Sequence, residues 1–154
     1  HHETTQLMIE YIFDQKVENK KICDIGCGTG ILSIISEKRG AKKIDAVDID
    51  IICYKNTIEN INRNICKKIN TIHCSSGGLL GNKYDIILSN ITINNLKSNF
   101  ENFKKISNQN TILIISGFYK KDLYKVNQML KKFEFRLSDF KTKNDWVASR
   151  YFRN

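Results

Sequence analysis

Three glycines at alternate positions follow a short apolar run in the segment KKICDIGCGTG, residues 20–30. Gly26, Gly28 and Gly30 can adopt backbone angles that other residues avoid, and they let a ligand approach the main chain. The helix that we expect to begin near Thr29 points free N–H groups at the same place. The pattern therefore indicates a small-molecule site at the first strand-to-helix turn of an α/β sheet.

Two aspartates near this turn narrow the choice of ligand. Asp24 lies just before the turn, where a carboxylate repels a pyrophosphate but attracts the ammonium of an amino-acid-like ligand. Asp48 ends the next expected strand, where an acidic side chain can accept both ribose hydroxyls. The spacing GxGxG differs from the GxGxxG of nicotinamide sites, although Asp48 suits the ribose of either cofactor. S-Adenosylmethionine has an ammonium, a sulfonium, a ribose and no phosphate, so it is the predicted cofactor.

Composition favours one domain, since 154 residues can form one core but not two ordinary ones. The chain has no apolar run of about 18 residues and no leader pattern, so we expect a cytoplasmic protein without a membrane span. Its five cysteines form no CxxC pair and no cluster with the three histidines, which predicts reduced, mostly buried thiols and no metal site. The net charge of +9 suits a nucleic-acid or ribosomal neighbourhood, although a base-composition bias toward Ile, Asn and Lys also produces it.

Apolar runs typical of buried strands alternate with segments of helical spacing as far as residue 133. The predicted strands are KICDI, KKIDAVDID, INTIHC, KYDIILSN and TILIISG. Thr4 and Thr5 are predicted to cap the first helix, and Gly40 to close the second. The tail alternates apolar and polar residues around an expected turn at Lys143 and Asn144. These patterns predict an α/β fold, a mostly parallel sheet with helices on both faces and a C-terminal antiparallel hairpin.

Four short motifs resemble those of the ribosomal protein methyltransferases that modify large-subunit protein eleven, which are class I S-adenosylmethionine-dependent enzymes. The resemblance covers nearly the whole chain, includes Trp146 near its end, and implies a Rossmann-like seven-strand methyltransferase sheet. The motifs are HHETT at 1–5, DIGCGTG at 24–30, VDID at 47–50 and SNI at 89–91.

The resemblance also implies which residues form the site. Asn90 is the predicted catalytic residue, because its amide oxygen and the adjacent carbonyls can accept N–H bonds from an amine; the alternative is a strand-end turn residue. Thr5 is placed against the cofactor, or serves only as a helix cap. For His2 both a role over the site and a disordered terminus stay open, and His73 is taken as structural. The predicted cofactor-binding residues are Thr5, Asp24, Gly26, Gly28, Gly30, Asp48 and Asn90.

The predicted reaction is methyl transfer to lysine side-chain and N-terminal amines of a large-subunit ribosomal protein, with ribosomal RNA as a potential neighbour and no membrane partner. Enzymes of the same class that methylate adenine or glutamine amides carry Asn-Pro-Pro-aromatic after this strand. Here the stretch is Asn90-Ile91-Thr92-Ile93, which favours an aliphatic amine. The alternatives are an RNA or small-molecule methyltransferase and a cofactor-binding domain without turnover.

Residues 1–154 are expected to form a single methyltransferase domain. The sequence begins at His1, so it contains neither the family's glycine-rich lead-in nor its separate N-terminal recruitment domain. We therefore expect a catalytic domain alone, either a fragment or a reduced homologue. The two histidines are interpreted as native rather than as a tag remnant, because HHETT continues directly into the matching helix.

Overall fold

The computed structural model describes residues 2–154, and it confirms a seven-strand α/β sheet within them. The helices are α1 His2–Asp14, α2 Ile31–Lys38, α3 Ile51–Arg63, α4 Ile93–Lys105 and α5 Leu123–Lys131. The strands are β1 Lys21–Ile25, β2 Lys43–Asp48, β3 Ile69–His73, β4 Tyr84–Asn90, β5 Ser107–Tyr119, β6 Phe135–Lys143 and β7 Trp146–Arg153. Their order is β3-β2-β1-β4-β5-β7-β6, in which β1 to β5 run parallel and β7 is antiparallel to both neighbours.

Two apolar cores cover the two faces of the sheet. A strand buried on both faces needs apolar residues along its whole length, which explains the continuous runs in β1 and β4. On one face α4 and α5 contribute Leu96, Phe100, Phe103, Val126 and Leu130. On the other face α1 and α2 contribute Leu7, Met8, Tyr11, Ile12 and Leu32. The prediction of helices on both faces is therefore confirmed.

Helix α1 begins earlier than the sequence pattern predicts. It starts at His2, so Thr4 and Thr5 lie inside the helix and the prediction that they cap it is wrong. The apolar periodicity marks only the helix's buried positions, and the polar residues of its first turn carry no such signal. Helix α2, in contrast, begins later than expected. It starts at Ile31, after the left-handed Gly30, two residues beyond the predicted start near Thr29.

The C-terminal hairpin forms the antiparallel edge that was predicted. Its turn is Asn144–Asp145, one residue later than expected, and both residues have positive φ, 46° and 65°. Two left-handed residues in succession form the turn that matches the twist of a hairpin. Strand β5 is longer than predicted because β7 pairs with it as far as Tyr119.

None of the helices in residues 2–154 is long and apolar enough to cross a membrane. Helices α1, α3 and α4 have 13 residues each. A membrane-spanning helix needs about 20 apolar residues.

Candidate active site

The carboxyl ends of three neighbouring strands bring the predicted site residues together. Strands β2, β1 and β4 are adjacent, and they end at Asp48, at the glycine turn and at Asn90. A cleft of about 410 Å³ opens at this edge, within the usual range of small-molecule sites. Its lining residues are Ile25, Gly26, Val47, Asp48, Ile49, Cys74, Ser75, Ser76, Ile91, Asn95, Ser98, Asn99 and Asn102.

The turn after β1 has the left-handed backbone that glycine adopts at low cost. Gly26, Gly28 and Gly30 have φ values of 77°, 58° and 83°. The N–H groups of Gly26 and Cys27 both donate to the Val47 carbonyl, at 2.9 and 3.0 Å. The turn is therefore fixed to the end of β2, as a ligand site at this position requires.

Two glycines allow the segment after β4 to pass close to its neighbours. A Cβ at Gly26 would lie 2.3 Å from Ile91 Cγ2, and a Cβ at Gly117 would lie 1.9 Å from the Ile91 carbonyl oxygen. Gly117 has a φ of 104° and sits where the register of β5 and β7 shifts. Sequence reasoning missed Gly117, although an isolated glycine in a strand pattern signals a bulge or a close backbone approach.

Asp48 ties the glycine turn to the start of α3. Its Oδ2 accepts a hydrogen bond from the Gly28 N–H at 3.0 Å, and its Oδ1 accepts one from the Asp50 N–H at 2.9 Å. A carboxylate has about four lone-pair sites, so each oxygen can still accept another donor. The side chain is largely buried yet lines the cleft. This geometry leaves two acceptor positions, which match the two hydroxyls of a ribose.

Asp24 is buried beneath the turn, and it does not line the cleft. Its Oδ2 accepts a 2.7 Å hydrogen bond from the Ser33 hydroxyl on α2. The pKa of the Asp24 carboxyl is raised to about 6, chiefly by burial and also by the charge of Asp48, while the Ser33 hydrogen bonds lower it. The carboxyl therefore connects β1 to α2, and its predicted contact with a ligand ammonium stays a prediction.

Asn90 and Thr5 contact each other, although neither is among the residues that line the cleft. The Asn90 amide nitrogen donates to the Thr5 hydroxyl at a long distance of 3.5 Å. Asn90 is half-buried at the end of β4, and Thr5 is half-buried inside α1. Because this contact uses the amide nitrogen, the amide oxygen stays available to accept an N–H from an acceptor molecule.

Ser76 and three asparagines of α4 form a polar network that lines part of the cleft. The Ser76 hydroxyl donates to the Asn99 amide oxygen, and the Asn102 amide nitrogen donates to Ser76 at 3.0 Å. Asn99 also donates to the Asn95 carbonyl at 2.6 Å. Sequence reasoning missed this network, because asparagines on an exposed helix face look like ordinary solvated positions. The network can present hydroxyl and amide groups to the polar edge of a ligand ring.

The other residues with potential chemistry are the histidines and the cysteines. His2 contacts Gln6 one turn along α1. His73 bonds the Ile49 carbonyl at 3.0 Å and packs against the Tyr54 ring. The five cysteines are free thiols, of which three are buried and Cys53 and Cys74 are half-buried. Within residues 2–154 no group of His, Cys, Asp and Glu has the geometry of a metal site.

The charges around the cleft select against phosphate-bearing ligands. Among the described residues that line it, Asp48 carries a negative charge and none is basic. A pyrophosphate would have no side-chain cation to pair with there. Apolar side chains such as Ile25, Ile49 and Ile91 supply the rest of the surface. The cleft thus suits a phosphate-free nucleoside that carries positive charge.

Comparison with known proteins agrees with this chemistry. A family model described as ribosomal protein L11 methyltransferase (PrmA) matches residues 1–153. The ribosomal protein L11 methyltransferase of Porphyromonas gingivalis is 34% identical over 153 residues, which cover 98% of this chain and 52% of that protein. The chain thus spans about half the length of the curated relatives it matches.

Solved structures show the same fold. The ribosomal protein L11 methylase of Lactobacillus delbrueckii subsp. bulgaricus superposes with a TM-score of 0.94 at 28% identity, covering 100% of this chain and 80% of that one. A magnesium protoporphyrin IX methyltransferase of Synechocystis superposes with a TM-score of 0.80 at 17% identity, covering 98% of this chain and 78% of that one. The second likeness shows the shared fold alone.

Proposed function

The chain belongs to the ribosomal protein L11 methyltransferase family, and we propose that it transfers methyl groups from S-adenosylmethionine to lysine side-chain and N-terminal amines of ribosomal protein L11. The observation that carries this proposal is the placement of Asp48, the glycine turn and Asn90 at the carboxyl ends of the three neighbouring strands β2, β1 and β4. Residues 1–154 act as one methyltransferase domain in this proposal. Its site of action is the cytoplasm, where ribosomal proteins and ribosomal RNA are found together.

The residues around the cleft fit S-adenosylmethionine. Asp48 holds the ribose through the lone pairs left by its two backbone hydrogen bonds. The turn at Gly26 and Gly28 lets the main chain approach the ligand, and Ile49 covers an apolar ring face. When bound, the cofactor would supply a methyl group on a sulfonium: a neutral amine would bond to the methyl carbon in line as the carbon–sulfur bond breaks, with S-adenosylhomocysteine as the leaving group and a proton lost from the amine afterwards.

The protein's part in the reaction is to position a neutral amine. A lysine amine with a pKa near 10.4 is neutral in only about one molecule in a thousand at pH 7.4, a cost of about 4 kcal/mol. The Asn90 amide oxygen can accept an N–H of that amine and aim its lone pair. An uncharged amide does this without stabilising the protonated amine, as an aspartate would.

The residues after Asn90 favour an aliphatic amine over a planar base. Ile91 is held against Gly26 and Gly117, and no aromatic ring follows Asn90 on which a flipped base could stack. An RNA methyltransferase on this fold is the second candidate, and the net charge of +9 is the observation that favours it.

Intact-mass measurement tests the proposal directly. The chain is incubated with S-adenosylmethionine and purified L11, and L11 is expected to gain increments of about 14 Da, one per methyl group. Asn90→Ala is expected to lower the rate at least about tenfold, and the exposed neighbour Asn94→Ala is the matched control. Calorimetry with S-adenosylhomocysteine is expected to show weakened binding by Asp48→Ala and near-normal binding by the control Asn94→Ala.

The outcomes separate the parts of the proposal. Unchanged affinity in Asp48→Ala would contradict the cofactor site. Cofactor binding with no mass gain in L11, together with labelled methyl incorporation into ribosomal RNA, would favour the second candidate. Binding without any labelled product would indicate a domain without turnover.

A further inference from the structure

Lysines precede every parallel strand of the sheet. This pattern is visible in the sequence once the strand starts are known. The lysines are Lys20–Lys21 at β1, Lys42–Lys43 at β2, Lys67–Lys68 before β3, Lys83 before β4 and Lys104–Lys105 before β5. Because β1 to β5 run parallel, all these positions meet at the amino edge of the sheet, opposite the cleft.

The basic row continues across the antiparallel strands. Strand β7 ends at Arg153 on this edge, and Lys131 and Lys132 precede β6. A groove of about 580 Å³ lies here, lined by Lys83, Lys104, Lys105, Lys132 and Arg153 against one acidic residue, Glu101. Six strand spacings of about 4.8 Å give the row a length of roughly 29 Å.

Much of this charge is not neutralised within the described chain. Lys42, Lys43, Lys67 and Lys68 are exposed, and no carboxylate of residues 2–154 lies within ion-pair distance of them. The nearby Glu37 carboxylate accepts hydrogen bonds from the backbone N–H groups of Lys67 and Lys68 instead. At the other end of the row, Glu134 pairs with Lys104 and Arg153.

Helix dipoles explain only part of the pattern. Lys104 and Lys105 lie in the last turn of α4, where cations stabilise a helix end. Lys42 and Lys43 lie beyond the end of α2 at Lys38, and Lys67 and Lys68 lie beyond the end of α3 at Arg63. The dipole effect fades within the last turn, so these four lysines need another explanation.

We infer that the amino edge of the sheet binds the phosphate backbone of RNA. A row of point charges about 29 Å long matches a chain of regularly spaced phosphates, which lysines neutralise with release of counterions. Exposed Asn108 and Gln109 in the groove add donors for phosphate and ribose oxygens. An acidic peptide is favoured less, because a protein partner usually needs buried apolar anchors and Phe133 is the large apolar side chain in the groove lining.

The two edges of the sheet then have separate roles. The cleft edge presents Asp48 and Asp50 after β2, whereas the amino edge presents lysines. RNA bound at the amino edge leaves the cleft open to a protein substrate. This inference does not depend on the methyl-transfer reaction.

Two quadruple variants test the inference, since each removes four positive charges from exposed positions. The edge variant changes one lysine at each of four strand starts: Lys43→Gln, Lys68→Gln, Lys83→Gln and Lys105→Gln. The control variant changes lysines away from this edge: Lys55→Gln, Lys120→Gln, Lys125→Gln and Lys143→Gln. Fluorescence anisotropy with a labelled single-stranded RNA of about 20 nucleotides measures affinity from about 50 to 300 mM salt. Thermal unfolding checks that both variants fold.

The edge variant is expected to bind RNA at least about tenfold more weakly. The magnitude of its negative slope of log K against log salt is expected to decrease by about 3. The control is expected to change affinity less than about threefold. Equal losses in both variants would assign RNA binding to overall charge and overturn the inference. So would absence of wild-type binding at about 50 mM salt, or displacement of the RNA by an equal charge of polyglutamate, which would indicate an acidic protein partner.

Discussion

Gly117→Ala is expected to displace the backbone of Ile91, next to the candidate site. The new Cβ would lie 1.9 Å from the Ile91 carbonyl oxygen and 2.7 Å from its carbonyl carbon. Real Cβ contacts essentially never fall below 3.0 Å, so the backbone at Ile91 must move by about 1 Å. Ile91 follows Asn90 directly and also touches the glycine turn at Gly26. The movement therefore reaches the Asn90 amide, which we propose positions the acceptor amine.

Two costs add in this variant. An alanine at a φ of 104° is strained by about 1–3 kcal/mol. Displacing packed backbone adds about 1–3 kcal/mol, as overpacking of a core does. We expect the free energy of unfolding to fall by about 2–6 kcal/mol. A misplacement of about 1 Å near reacting groups lowers a rate by about 100-fold, and we expect a loss of that order in L11 methylation.

Gly81→Ala is the control that separates backbone strain at positive φ from the steric clash with Ile91. Gly81 has a similar φ of 97°, and a Cβ there meets nothing within 4 Å. It should therefore show the strain alone, with a normal methylation rate. Urea unfolding gives the two free energies, and methyl incorporation at saturating cofactor gives the rates. Equal stability losses, together with an unchanged rate in Gly117→Ala, would refute the reasoning.

Three further changes test other parts of the site and core. The folded-state pKa of Asp24, about 6, lies above its ordinary value of 3.8, so wild-type stability should fall by about 3 kcal/mol as pH rises from about 4 through 6. Asp24→Asn should lack this loss in urea unfolding at several pH values, and parallel profiles would contradict it. Asn90→Asp should shift the midpoint of the pH–rate profile to higher pH by about one unit, because a carboxylate stabilises the protonated amine. An unmoved midpoint would argue against contact between residue 90 and the amine. Tyr84→Phe removes the 2.6 Å hydrogen bond to buried Asp45 and should cost about 1–3 kcal/mol of unfolding free energy. Asp45 also accepts a 3.4 Å hydrogen bond from the Asn70 amide nitrogen, and a change within error would show that this bond alone satisfies the carboxylate.

The sequence predicts the order of strands and helices well because burial on both faces leaves a clear signal. KICDI and YDIILSN are mostly apolar and buried, and they become central strands β1 and β4. Element ends are harder, because they depend on polar residues and on partners distant in sequence. Helix α1 starts at His2 without any apolar marker, and β5 extends to Tyr119 because β7 pairs with it there.

Sequence reasoning locates a candidate site residue where its place depends on one strand end. Asp48 and Asn90 end the two strands that flank β1, and the alternate glycines have the left-handed angles that their spacing suggests. It misses features that depend on packing between strands, such as Gly117 against Ile91. Asp24 illustrates the same limit, since its sequence position cannot reveal that Ser33 holds its carboxyl under the turn.

Strand direction explains why the two edges of this sheet differ in charge. In a parallel sheet every strand starts at one edge and ends at the other, so residues just before and just after strands are sorted in space by their place in the sequence. Here Asp48 and Asn90 stand at the ends of strands, while lysines precede strands β1 to β5. Lys120–Lys121 after β5 departs from this pattern, and it lies beside the antiparallel β7 rather than at the cleft. Strand direction therefore separates a cleft whose described lining has no basic residue from a basic edge.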